Sequence, residues 1–165
     1  MKFEISHSFD APPERVAEVT LDQDFQASLK DIGRLKDRKV LSQKKSGANV
    51  VRRTRCVLDI HLGGMAKKML GDSEPAWVEL ATWDPERLRW RWEIEPEVGE
   101  ELLSAFGEMT LEQDGSGTTR TVRGDVRVSV PIYGGRVENT IVEGLRDAYD
   151  EEAERISEWL GREKV

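Results

Sequence analysis

The sequence predicts an α+β fold: a curved antiparallel sheet of about seven strands wrapped around one long C-terminal helix, with two short helices after the first strand. Three observations predict it. Residues 2–9 and most of 36–130 alternate apolar and polar side chains with period two. Turn-forming stretches cut the second region at Ser46-Gly47, Asp84-Pro85-Glu86 and Asp114-Gly115-Ser116-Gly117. Residues 137–160 carry apolar side chains at helical spacing.

In chain order, Phe3, Ile5, His7 and Phe9 share one face of the first strand, opposite Lys2, Glu4, Ser6 and Ser8. Asp10-Ala11-Pro12-Pro13-Glu14 ends it and starts a helix, because proline lacks the N–H that a first helical turn leaves unpaired. Val16, Ala17, Thr20 and Leu21 make a short stripe. Asp22 or Asp24 caps a second helix with the stripe Phe25, Leu29 and Ile32, and Gly33 is its expected stop. Three hairpins follow: 39–45 with 48–62, 77–83 with 87–95, and 102–113 with 118–130. Val50, Thr54, Cys56, Leu58 and Ile60 share a face, as do Leu88, Trp90, Trp92 and Ile94, and Val122, Val126, Val128 and Val130. For 76–83 the inward face stays open, because Val78 and Leu80 compete with Trp77, Ala81 and Trp83. The closing helix carries Val137, Ile141, Leu145, Ala148, Tyr149, Ala153, Ile156, Trp159 and Leu160 and is expected to stop at Gly161. Gly134-Gly135 before it reads as a tight turn. Two helices separate the first strand from the hairpins, so that strand must pair away from its sequence neighbours.

The 165 residues suit one domain, 1–165. One cysteine, Cys56, excludes an internal disulfide framework, and with only His7 and His61 no metal site is expected. No P-loop or dinucleotide pattern is present, so no cofactor is expected. The net charge of −7 argues against nucleic-acid binding. No apolar run reaches the roughly 20 residues of a membrane span, so no stable membrane insertion is expected, and a mixed polar start argues for a cytoplasmic protein.

At three places the sequence resembles the START/polyketide-cyclase superfamily, the helix-grip fold shared with the birch-pollen allergens. The opening Phe3-Glu4-Ile5-Ser6-His7-Ser8-Phe9-Asp10-Ala11-Pro12-Pro13-Glu14-Arg15-Val16 resembles that superfamily's first strand and helix start. The hairpin series ends in Val126-Arg127-Val128-Ser129-Val130-Pro131. Pro131-Ile132-Tyr133-Gly134-Gly135-Arg136-Val137-Glu138 resembles the entry to the long helix in a bacterial START-like branch. The resemblance implies a cavity between sheet and helix for an apolar small molecule of lipid, polyketide or isoprenoid type.

The candidate cavity residues are His7, Phe9, Thr54, Cys56, Leu58, Met65, Met69, Trp77, Trp90, Trp92, Met109, Val126, Ile141, Leu145 and Tyr149. Indoles offer broad apolar walls, and either the Tyr149 hydroxyl or His7 could take a ligand's single polar group. Residues 63–71, with glycines at both ends and Met65, Met69 and Leu70 on one helical side, fit either a lid or an ordinary loop. The inward faces read as mostly Val, Leu and Trp. That composition favours a carrier over a cyclase or hydrolase, and no catalytic residue is assigned. Charge is segregated. Residues 30–55 hold ten basic against two acidic side chains, and 138–165 four basic against nine acidic. The basic hairpin is a solvated face or the contact surface for an acidic protein partner, as in a chaperone activator.

Overall fold

The structure is a computed structural model that describes residues 1–59 and 74–162. Its elements are β1 (Lys2–Phe9), α1 (Pro13–Leu21), α2 (Gln23–Ser28), β2 (Leu35–Ser46), β3 (Asn49–Leu58), β4 (Ala76–Asp84), β5 (Arg89–Pro96), β6 (Leu103–Asp114), β7 (Gly117–Val128) and α3 (Gly134–Arg162). The seven strands form one antiparallel sheet in the order β1-β7-β6-β5-β4-β3-β2. β1 therefore pairs with the last strand, at the opposite edge from β2, as the intervening helices require. The Asp22 carboxylate accepts from Phe25 N at 2.9 Å and caps α2. Gly47 and Gly115, at φ +62°, turn the first and third hairpins.

The ends of the helices differ from expectation. α2 stops at Ser28, short of Gly33, although Phe25, Leu29 and Ile32 are all buried. Successive turns there lead the chain into β2. Gly33 (φ +59°) is a contact glycine and not a helix stop, because a Cβ on it would lie 2.8 Å from Ala148 Cβ of α3. Gly134 and Gly135 form the first turn of α3 and not a separate turn. Gly134 is needed because a Cβ would sit 2.6 Å from Val128 O. Gly161 lies within α3, which runs on to Arg162.

α3 approaches β7, β1 and α1 most closely. On that side Phe3, Ile5, Phe9, Val16, Phe25, Leu29, Val122, Val126, Ile156 and Leu160 make a filled core. The apolar stripe of α3 has two fates. Ala153, Ile156 and Leu160 are buried, whereas Ile141, Leu145, Ala148 and Tyr149 stay half-buried over the middle strands. The space under them is the candidate site.

Candidate functional site

A cavity of about 870 Å³ separates α3 from β3, β4 and β5. Nine sequence-predicted residues line it: Cys56, Leu58, Trp77, Trp90, Trp92, Met109, Ile141, Leu145 and Tyr149. Four others lie outside its wall. Phe9 and Val126 are in the filled core, Thr54 is buried in β3, and His7 faces α3 beside Arg120. Met65 and Met69, with the rest of the 63–71 segment, lie outside the described residues.

Strand register settles the open face of β4. Trp83 opposes Val50 and Trp90, and Trp77 opposes Cys56, so the odd positions Trp77, Glu79, Ala81 and Trp83 point inward. That face brings in a glutamate. The same parity on β3 places Arg52 beside Thr54 and Cys56 on the inner side. The cavity is therefore not uniformly apolar. Trp90, Trp92, Ile94, Leu103 and Val128 give it apolar wall, and Gln26, Arg38, Arg52, Glu79, Tyr149 and Glu152 add polar groups to the same lining. These polar residues were legible from strand parity at Arg52. Glu79 was not, because Val78 and Leu80 are the more hydrophobic alternative.

Arg52 is 7% exposed, and burial together with repulsion from Arg38 brings its pKa down to about 10. It donates to Thr20 O at 2.8 Å and Gln43 Oε1 at 3.4 Å, and its guanidinium lies 4.4 Å from the centre of the Trp90 ring. Its Nε is buried without a hydrogen-bond partner among the described residues. Arg38 donates to Gln26 Oε1 at 2.7 Å and Gln26 O at 3.3 Å. Burial raises the Glu79 carboxyl, with Arg38 and Arg52 pulling the other way. Burial also raises the Tyr149 phenol and pushes the Cys56 thiol up to about 12, so Cys56 is no thiolate nucleophile.

His7 belongs to a separate network. Arg120, 0% exposed, donates to His7 Nδ1 at 3.1 Å and to Tyr149 O at 3.1 Å, and pairs with Glu152. Arginine has only donors, so Nδ1 accepts, and Nε2 carries the proton that bonds Asp150 Oδ1 at 2.8 Å. This ring is fixed as a neutral strut between β1 and α3. Burial lowers its pKa, Arg120 adds to that, and Asp150 opposes it. Among the described residues no cluster of metal-ligating side chains occurs, and no helix is long and apolar enough to cross a membrane.

The basic hairpin is partly neutralised. Arg53 pairs with Glu95 at 3.6 Å, Arg55 binds Glu97 at 2.6 and 2.9 Å, and Arg34 pairs with Asp147 at 3.4 Å. Lys36 pairs with Glu74.

The family model described as "Protein of unknown function (DUF2505)" matches residues 4–160. The chain belongs to the DUF2505 family. No curated protein matches it. Solved structures show that this DUF2505 chain has the helix-grip fold of the START/polyketide-cyclase superfamily. TTHA0849 from Thermus thermophilus is 20% identical, with 96% of this chain and 95% of that one covered at a TM-score of 0.67. The ZhuI aromatase/cyclase from Streptomyces sp. R1128 is 14% identical, with 96% and 89% covered at 0.59. A STAR-related lipid transfer protein from Xanthomonas axonopodis is 14% identical, with 94% and 85% covered at 0.61.

Proposed function

We propose that this DUF2505 protein binds and carries a hydrophobic small molecule of lipid, polyketide or isoprenoid type between the sheet and α3. The observation that supports this most is the cavity itself. Its volume of about 870 Å³ falls in the range of roughly 300–1,000 Å³ typical of small-molecule sites. Its Trp90, Trp92, Ile94, Ile141 and Leu145 walls offer apolar surface that a ligand would cover, at about 25 cal/mol per Å² buried. The names of two fold neighbours, a lipid transfer protein and an aromatase/cyclase, are consistent with such a ligand. Native mass spectrometry of protein purified from its own host should show a retained small molecule. An empty protein whose Trp fluorescence no lipid or aromatic compound changes would end this reading.

A second reading is an enzyme of the cyclase or hydrolase kind. Glu79 favours it: a carboxyl raised by burial and facing the cavity suits general acid–base work. On that reading Glu79→Gln loses turnover while keeping affinity. A carrier keeps ligand transfer in the same variant.

A further inference from the structure

We infer that the ligand of this cavity is an amphipathic acid, whose carboxylate sits between Arg38 and Arg52 while its carbon skeleton lies along the Trp90–Trp92 wall. This rests on the cavity reading above and names the chemistry of the ligand's polar end.

The two guanidinium groups reach one patch of the inner face from adjacent strands. Arg38 pairs in register with Cys56, and Arg52 lies on the same side of β3 as Cys56. Both line the cavity. Both spend their donors on neutral oxygens, those of Gln26 for Arg38 and of Thr20 and Gln43 for Arg52. Among the described residues neither forms an ion pair. Buried cations are normally matched by anions, because removing a charge from water is expensive unless it is paired. Arg120 in the same molecule shows the matched case, held by Glu152, His7 and a backbone carbonyl. Arg52 and Arg120 each keep a buried Nε with no partner among the described residues, but Arg52 has no ion pair, and its neighbour Arg38 repels it.

Glu79 is the one acid beside the pair on β4, diagonal to Arg52 across the ladder. Burial favours its neutral form. Among the described residues Glu79 forms no ion pair with either arginine, and Glu152, the other acid lining the cavity, is engaged by Arg120. A carboxylate accepts several hydrogen bonds at once, and arginine forks suit its planar geometry. The nearby indoles fix where the carbon goes. Trp90 lies under the Arg52 guanidinium, and Trp92, Ile94 and Leu103 continue the wall from it.

The test compares acids with neutral analogues on the intact protein. cis-Parinaric acid and its methyl ester form one probe pair. Anilinonaphthalene sulfonate, an anion, and N-phenyl-1-naphthylamine, which is neutral, form an aromatic pair. The acid is expected to bind at least about tenfold more tightly than the ester, the scale of a charge-assisted hydrogen bond. Arg38→Gln and Arg52→Gln should bring the ratio of acid to ester affinity close to one, whatever each does to ester affinity itself. Equal binding of acid and ester by the native protein overturns the inference and leaves the cavity reading intact. So does an acid preference that survives in both variants. Binding of neither member of either pair removes the cavity reading and this inference together. The wild-type comparison needs no variant to fold.

Discussion

Two arginines on the inner face of one sheet meet opposite fates. Arg120 on β7 is wholly enclosed and finds His7, Glu152 and Tyr149 O within reach. Arg52 on β3 is nearly as buried but holds only neutral oxygens and a ring face. The difference follows from where α3 lies. Over β1 and β7 the helix comes close, so its acids Asp150 and Glu152 reach the strands. Over β3 to β5 it stands off, and the gap is the cavity. The closed side holds the helix in place. The open side leaves a buried cation without an ion pair, and such a group marks where a ligand can add binding energy.

The comparison predicts unequal costs. Arg120→Met leaves Glu152 and His7 without their buried donor and should cost about 3–5 kcal/mol in urea unfolding. Arg52→Met loses one strong hydrogen bond but also removes a buried cation that no ion pair holds, and should cost less than about 1 kcal/mol. The helix stripe gives the same contrast in apolar form. Ile156→Ala in the filled core should cost about 2–5 kcal/mol. Ile141→Ala, whose side chain already faces the hollow, should cost under about 1.5 kcal/mol, because little new cavity is made. Equal losses within either pair would mean that the two sides do not differ as described.

Glycines separate the regions more gently. A Cβ on Gly124, in the closed side, would come 2.6 Å from Phe3 Cε1 and 2.8 Å from Trp92 Cζ2. Gly124→Ala should therefore destabilise by about 1–3 kcal/mol through overpacking. Gly144 of α3 lines the cavity, and its nearest neighbour would be Arg34 Cδ at 3.8 Å. Gly144→Ala has room and a better helix propensity, and should stabilise by about 0.5–1 kcal/mol in thermal unfolding.

The fold was legible in the sequence because its signals are local. Strand alternation, three turn stretches and one long helical stripe give the element order, and the two helices after residue 9 force β1 to the far edge. The filled core was equally legible, but it could not be told apart from the cavity. Val126 and Trp92 both alternate correctly, and only the distance of α3 from each strand decides which one faces space. The polar lining was harder to see for another reason. Apolar residues mark an inward face, so although the alternation of β3 already puts Arg52 with Thr54 and Cys56, Arg38 on β2 and Glu79 on β4 stand out only once the register of those strands with β3 is known. Arg120 hides in the same way between Thr118 and Val122. His7 was placed on the correct face, but its partner Asp150 comes from α3, 143 residues away in sequence, and strand periodicity says nothing about it.

His7 gives the smallest expected effect, and its sign is fixed by the network. In the folded protein its pKa lies below the ordinary value of 6.5, chiefly through burial, with Arg120 adding to the depression and Asp150 and Glu152 opposing it. Protonation at Nδ1 would remove the acceptor for Arg120 and set two cations side by side. The unfolded chain takes up this proton as pH falls through about 6.5, while the folded chain resists. Stability from this group is therefore fully present above that pH and declines below it, until the folded imidazole also titrates. Urea midpoints measured from about pH 7.5 to about pH 5.5 should fall for the native protein, with the slope that proton linkage requires. His7→Gln keeps a donor and an acceptor but cannot titrate, so its midpoints should fall less over the same range. Subtracting the two curves removes the contribution of His61 and of the carboxylates. Parallel curves would show that the His7 strut carries no proton-linked stability. A matching change in ligand affinity would show that the closed side is coupled to the cavity.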